Sequence, residues 1–333
     1  MKLAVPDLIS NSYFPAVAAV ELGYFAQEGL DVSLELIFPV DKAYAALRDG
    51  AVDFVGGSAH SALAAFPGWR GVKLLCAQAQ GMYWFLVMRS DLGARRGEID
   101  AVKGRSIGAA PWVEMGLRRL LAEAGIDIVR DRVTIAPVPG LRRAEAAPAA
   151  QAGLRRAEAA PAAQAGAAGA GVNFGVTAAR ALADRKIDGF WANGMGAEVA
   201  IRSGAGTLVL DVRRGDGPKP CFDYTFAAIA ATDALIARAP GTAEAAVRAI
   251  VATQRALAAD PGRATEVGRK LFPPDEAGLI AELIRRDLPY YDAAISERTV
   301  SGMNAFARDM GILAGEAAYE DVVAVRFRHI WQG

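Results

Sequence analysis

The chain reads as an α/β protein of two lobes, each built around a largely parallel sheet, followed by a helical C-terminal region. Three observations predict this. Residues 1–58 run strand, helix, strand, helix, strand, the order of a parallel sheet covered on both faces. A helix-to-strand step within that run, Ala46-Leu47-Arg48-Asp49-Gly50-Ala51-Val52-Asp53, is echoed at Ala181-Leu182-Ala183-Asp184-Arg185-Lys186-Ile187-Asp188, with a Phe within two residues of each final Asp. Chance can produce a match this short, but both copies fall in the same local context, as two lobes sharing one step would place them. From Thr242 onward, AEAAVRAIVATQRALAAD and DEAGLIAELIRRDL repeat apolar residues at intervals of three and four, which is helical spacing.

Each element has a local cause. Lys2 to Val5 alternates as a short strand, and a polar turn over Ser10 to Phe14 leads into the helix PAVAAVEL, with Pro15 in its first turn. Gly23 stands where a helix end favours a residue tolerant of positive φ, so Gly23-Tyr24-Phe25 is a stop whose aromatics can pack back on the sheet. Asp31 to Leu36 alternates as the second strand. Asp41 is placed to cap the helix KAYAALRD, Gly50 ends it, and VDFVGG is a third strand running into a helix begun at Ser58.

Composition narrows the partner. Hydrophobic residues make up 53% of the chain and charged residues 22%, enough for a large core in one large or two medium domains. The 37 basic side chains balance the 37 acidic ones, with no long basic run, so neither nucleic acid nor an anionic membrane is favoured and a small molecule becomes the expected ligand. No apolar stretch approaches the roughly 18 residues of a membrane-spanning helix. The start, MKLAVPDLISNSYFP, lacks the long apolar centre of a secretory signal, so the chain is expected to be either cytoplasmic or the mature form of an exported protein. Cys76 and Cys221 are too far apart for a CxxC motif; two buried free thiols are expected, with a single disulfide as the alternative. The segment GLRRAEAAPAAQA occurs twice in tandem, at 140–152 and 153–165, followed by GAAGAG. Ala, Pro, Gln and Gly with scattered charge bury too little to form a core, so 140–171 is expected to be a low-complexity surface insertion.

Three groups of residues carry a family resemblance: Ala18-Ala19-Val20-Glu21-Leu22-Gly23-Tyr24-Phe25, Glu28-Gly29-Leu30-Asp31-Val32, and Ala46 through Asp53-Phe54. Together they resemble type II periplasmic binding proteins, the solute-binding components of nitrate, sulfonate and taurine type ABC importers, and their relatives that bind pyrimidine precursors of thiamine and those that bind riboflavin. Lys103 to Gly108 and Leu117 to Ile126 resemble a strand and helix of the same family's second lobe. The resemblance implies a two-lobed type II fold with two hinge crossings, here Trp84 to Arg89 outward and Tyr224 to Ala230 back. Lobe 1 would then comprise 1–86 with 229–333, and lobe 2 would be 87–228. It further implies an extracytoplasmic, monomeric, non-enzymatic protein that serves ABC permease subunits and needs no cofactor or metal.

In such a fold the ligand meets loops at the carboxyl ends of strands and the starts of helices, here Ser10 to Phe14, Gly57 to Ser61, Ala109 to Glu114 and Ala192 to Gly196. Free N–H groups at the starts within GGSAHSA and AAPWVEM suit a carboxylate or sulfonate, although Ser58 and Pro111 also fit ordinary capping. Tyr13, Tyr83, Trp112, Trp191 and Tyr224 are placed to sandwich a planar ligand, whereas Phe14 and Trp84 read as structural. Glu114 either compensates a helix dipole or, facing the cleft, favours an amine or aminopyrimidine edge. Asn11 and Asn193 suit polar recognition, Ser58 and His60 are candidate contacts, and His329 reads as structural. Some cytoplasmic enzymes reuse this fold, including a thiamine-pyrimidine synthase, decarboxylases and dehydratases. The chain has neither the Cys cluster such a synthase needs nor HExxH, GxSxG or P-loop signatures. A ligand-sensing interaction module would use the same cleft and is the remaining alternative.

Overall fold

The computed structural model describes residues 1–8, 12–139, 174–272 and 274–332. The strands β1 (Lys2–Val5), β2 (Ser33–Leu36), β3 (Phe54–Ser58), β4 (Val72–Ala79), β5 (Phe85–Arg89), β6 (Ser106–Ala109), β7 (Thr134–Ala136), β8 (Gly189–Ala192), β9 (Gly206–Asp211) and β10 (Ala227–Thr232) make two five-stranded sheets. Their orders are β2-β1-β3-β10-β4 and β7-β6-β8-β5-β9. In each, the first three strands pair in parallel, and the fourth runs antiparallel to both its neighbours. The two sheets therefore have one topology, position for position.

The echoed A-L-x-D-x-x-(V/I)-D step has a structural job in both sheets. Asp53 gives its backbone N–H to the Lys2 carbonyl at 2.9 Å, while its Oδ2 accepts the Lys2 N–H at 2.9 Å. Asp188 does the same to Ser106, donating to its carbonyl at 2.9 Å and accepting its N–H at 2.9 Å. Each Asp thus satisfies both backbone groups of a neighbouring strand's first residue, where the ladder has no further partner.

Among the described residues the principal helices are α1 (Phe14–Glu21), α2 (Tyr24–Gln27), α3 (Val40–Arg48), α4 (Glu114–Glu123), α5 (Phe174–Ala183), α6 (Gly194–Arg202), α7 (Asp233–Arg238), α8 (Pro240–Ala259), α9 (Arg263–Leu271), α10 (Pro274–Asp287) and α11 (Glu297–Asp309). Gly23 has φ +79° and turns α1 into α2, so GYF forms a corner that buries Phe25 rather than a full stop. Asp41 lies inside the first turn of α3 and is not its cap, because the helix already begins at Val40 behind Pro39. Ser58 ends β3 and precedes a short 3-10 helix, Ala59–Ala64. The C-terminal helices pack mainly on the first sheet, with Val247, Ile250 and Leu257 of α8 in one core with Phe14, Val17 and Leu75. Cys76 and Cys221 are buried free thiols, and burial pushes the Cys221 thiol up to about 12, so neither is poised to react. The tandem repeat lies outside the described residues.

Most of the expected crossings, Trp84 to Arg89 and Tyr224 to Ala230, is strand: residues 85–89 form β5 and 227–230 open β10. The chain passes between sheets through Gln80–Trp84 and returns through Val212–Phe226. Gly81 has φ +70°, and a Cβ there would lie 2.4 Å from the Phe222 ring of the return crossing, so the outward crossing admits only glycine at this point. Arg213 fastens the two crossings together. Its Nε donates to the Gln80 carbonyl at 2.7 Å, Nη2 to the Gly81 carbonyl at 3.3 Å, and Nη1 to Ser12 Oγ at 3.0 Å and Asp287 Oδ2 at 2.8 Å. Both members of the Arg213–Asp287 ion pair are essentially fully buried.

Removing one partner of such a pair strands the other charge in the interior. Arg213→Met is expected to lower stability by about 3–5 kcal/mol in urea denaturation, whereas the double change with Asp287→Leu recovers much of that loss. Equal destabilisation by the single and double variants would contradict this.

Candidate functional site

The carboxyl ends of the parallel strands point into the space between the sheets. The cavity there is lined by Pro6, Asp7, Tyr13, Phe38 and Val40 from the first lobe, by Tyr83 and Trp84 from the outward crossing, and by Ala110, Pro111, Val113, Phe174, Ala192 and Asn193 from the second. Its volume is about 40 Å³, room for roughly three waters and well below the 300–1,000 Å³ of ordinary organic-ligand sites. Among the described residues, the gap between the lobes is too small as it stands for an organic ligand of ordinary size.

Three contacts hold it shut. Asn193 caps α6, accepting the Gly196 N–H at 3.3 Å through Oδ1, which turns its Nδ2 toward Asp7 Oδ2 at 2.6 Å. Phe38 and Phe174 stack across the gap with ring centroids 6.4 Å apart and planes 19° from parallel. His60 Nε2 donates to the Trp112 carbonyl at 3.2 Å, joining the 3-10 helix of the first lobe to the loop after β6.

That last bond defines the imidazole. With Nε2 committed as donor, Nδ1 accepts from Thr225 Oγ1 at 2.9 Å, and the neutral ring is fully used. Burial lowers its pKa to about 4, the Trp112 carbonyl opposing. Behind it lies a buried polar layer in which Ser58 Oγ meets Ser61 Oγ at 2.6 Å and the Tyr13 and Tyr83 hydroxyls share a short hydrogen bond. Burial raises the pKa of both tyrosines, so they stand there as neutral phenols. Trp112 has φ +69°, an uncommon left-handed backbone for a bulky residue, and its ring packs on the core of the first lobe.

Of the residues expected to contact a ligand, Tyr13, Tyr83 and Asn193 line the cavity. Ser58 and His60 lie in the layer behind it, and Trp112 and Glu114 stand beside it at the lobe junction. Trp191 is fully buried in the second lobe's core, its indole N–H without a hydrogen-bond partner among the described residues, and Tyr224 is buried against Phe306 with centroids 4.8 Å apart. Asn11 lies outside the described residues. Trp84, read from the sequence as structural, forms part of the cavity wall.

At the two helix starts proposed for an anion, leading N–H groups already bond within the chain, those of Val113 and Glu114 donating to the Ala110 carbonyl at 3.1 Å. At GGSAHSA, the Ala59 N–H donates to the Phe226 carbonyl at 2.9 Å. At AAPWVEM, Glu114 supplies its own carboxylate to the first turn of α4. Burial raises the Glu114 pKa, the N–H groups of Glu114 and Trp112 act in the opposite direction, and the Asp41 carboxylate adds to the rise. Asp7, Phe38 and Phe174 were not legible as site residues. Asp7 and Phe38 each stand two residues past the end of a strand, the position where ligand groups gather, and that was the available signal. Among the described residues no group of three or more His, Cys, Asp or Glu could hold a metal ion.

Two lobes of one topology, joined by two crossings over a closed central cleft, are the fold of type II periplasmic binding proteins. Residues 10–153 match the model of the family described as NMT1/THI5 like. Among solved structures, a protein from Bordetella bronchiseptica RB50 aligns with TM-score 0.70 and 19% identity over 100% of this chain and 98% of its own. A putative periplasmic sulfonate-binding protein of an ABC transporter from Methylobacillus flagellatus KT aligns with TM-score 0.64 and 15% identity over 98% of this chain and 92% of its own. The desulfurization enzyme DSZB shares the fold as well, with TM-score 0.63 and 14% identity over 98% and 97% of the two chains. No curated protein sequence matches the chain.

His60 makes the lobe junction acid-sensitive. Because its pKa falls from the ordinary 6.5 to about 4 on folding, the unfolded chain binds the proton first as pH drops. Its contribution is therefore full above pH ~6.5 and is lost between there and pH ~4, about 3 kcal/mol in all. Urea denaturation at pH 7, 5 and 4 should show this loss in the native protein, and His60→Gln should flatten it by about that amount.

Proposed function

We propose that this chain is an extracytoplasmic solute-binding protein whose lobes close on a small organic ligand and present the closed form to the permease subunits of an ABC importer. The observation that carries this reading is the aromatic cavity shared by the two lobes and the outward crossing, with Phe38 and Phe174 facing each other across it. Parting the lobes separates those rings and opens a slot between two π-faces, with Trp84 and Tyr83 at its base, which suits a planar aromatic or heteroaromatic compound. The energy of closure then comes from ligand contacts made by both lobes at once. The fold shared with a sulfonate-binding protein of an ABC transporter supports the transport role and keeps sulfonate-like ligands in the panel. The imidazole of His60 is sealed beneath Trp112 with both nitrogens bonded, which weighs against a nucleophile and base pair with Ser61 despite their 3.5 Å separation.

The test is a tryptophan-fluorescence titration of ligand-stripped protein against alkanesulfonates, aromatic carboxylates, aminopyrimidines and flavins, with the compound analysed after long incubation. Saturable one-to-one binding with the ligand recovered intact is expected. Phe38→Ala or Phe174→Ala should weaken it about 10-fold, roughly 1.4 kcal/mol. Turnover of the ligand would favour an enzyme, and affinity unmoved by either Phe change would remove the cleft as its site.

A further inference from the structure

A second cavity lies at the edge of the first sheet. β4 is the last strand of that sheet, and two C-terminal segments cover its open side. The Ala77 N–H donates to the Ala293 carbonyl at 2.9 Å, and the Ala324 N–H donates to the Leu74 carbonyl at 2.9 Å. Between them these covers leave a cavity of about 300 Å³, whose lining includes Ile295, Ser296, Glu297, Tyr319, Arg328 and Trp331. That is several times the volume left in the cleft and reaches the range of organic-ligand sites. The two cavities share no lining residue.

The aromatic walls are fixed in advance. Trp331 Nε1 donates to the Leu75 carbonyl at 3.0 Å, and the Tyr319 hydroxyl donates to the Ile295 carbonyl at 2.5 Å. Each ring is tied down by its polar atom, so a ligand resting on it has little ordering to supply. The charges are unspent. Glu297 follows the capping Ser296 into the first turn of α11, where the helix dipole favours a carboxylate, and Arg328 belongs to the C-terminal segment Val325–Ile330. Among the described residues neither forms an ion pair or a side-chain hydrogen bond. Both nevertheless act on the Tyr319 hydroxyl: burial raises its pKa, the Arg328 charge opposes the rise and the Glu297 carboxylate adds to it. One free cation and one free anion thus share an aromatic neighbour in a preformed cavity.

We propose that this cavity is a second ligand site, separate from the cleft, and that it takes a small zwitterion with an aromatic body, such as a free aromatic α-amino acid. Arg328 receives the carboxylate, Glu297 the ammonium, and the ring lies against Trp331 and Tyr319. Each charged contact lies near solvent and contributes modestly by itself. A ligand that carries both charges makes both contacts at once over the same ring contact, which selects it over a singly charged analogue. All the lining comes from the C-terminal region beside β4, so occupancy does not depend on the state of the cleft.

Nuclear magnetic resonance of protein labelled at the indole nitrogens of its five tryptophans tests this, with the Trp331 signal identified by its loss in Trp331→Phe. Titration with L-phenylalanine should move the Trp331 signal saturably and leave that of Trp84, in the cleft wall, in place. L-phenylalaninamide, which lacks the carboxylate, and N-acetyl-L-phenylalanine, which lacks the ammonium, should each bind about 5-fold more weakly. Arg328→Gln should lower L-phenylalanine to the level of the amide while leaving the amide unchanged, and Glu297→Gln should lower it to the level of the N-acetyl compound. Neither side chain holds a structural partner, so both variants should melt at the native temperature. Equal affinity for the three compounds, or L-phenylalanine affinity unmoved in both variants, would overturn the recognition of a zwitterion. A Trp331 signal that none of the three moves would overturn the site itself, and neither result bears on ligand binding in the cleft.

Discussion

The geometry of the cleft depends on Arg213. A chain that leaves one sheet, enters another and returns must carry two stretches of backbone outside any ladder, and their carbonyls need donors in the interior. A planar guanidinium offers five N–H groups in a fixed fork, where a lysine would offer a compact point charge. Arg213 spends that fork on Gln80 and Gly81 of the outward crossing, on Ser12 before α1 and on Asp287 at the end of α10, while its plane lies 5.0 Å from the Tyr290 ring centre. Burying the charge is costly, and Asp287 together with these carbonyls offsets the cost. One side chain thus ties the outward crossing to Ser12 and Asp287, with its guanidinium 5.4 Å from the centre of the Tyr83 ring that lines the cavity.

Other links between the lobes differ in kind. Arg202 of α6 meets Glu282 of α10 at 2.5 Å, and Arg119 of α4 meets Asp309 of α11 at 2.8 Å, but these pairs are partly or largely exposed to solvent. Exposed ion pairs contribute little and are screened by salt, so they can break and re-form as the lobes move. The structure combines a buried permanent fastening at the crossings with weak contacts at the rim and a closing surface made of one hydrogen-bonded amide, one aromatic stack and one imidazole.

The duplicated topology explains why the site forms where it does. Each sheet presents the carboxyl ends of three parallel strands toward its counterpart, and the residues just past those ends meet in the middle. Asp53 and Asp188, the final residues of the echoed step, bond the first residue of a neighbouring parallel strand in each lobe. Only when those strand ends meet can Asn193 Nδ2, 186 residues away in the chain, donate a hydrogen bond to Asp7 Oδ2 at 2.6 Å.

Periodicity and turn chemistry are local, and they were sufficient for the strands of the first unit, the positive-φ glycine at Gly23 and the helical C-terminal region, while the two-lobed α/β class also needed the echoed step and the family resemblance. Loop membership was legible too, which is why Tyr13, Tyr83 and Asn193 could be named. The direction of a side chain was not. Trp191 and Trp84 both stand near strand ends, yet the pairing of β8 with β5 and β6 turns Trp191 into the core while the crossing turns Trp84 to the cleft. The same holds for charge: Glu114 at a helix start and Asp7 after a strand are equally plausible acids on paper. Which of them faces a ligand is decided by the packing of one lobe against the other, because burial and desolvation depend on neighbours that the chain brings together only when it is folded.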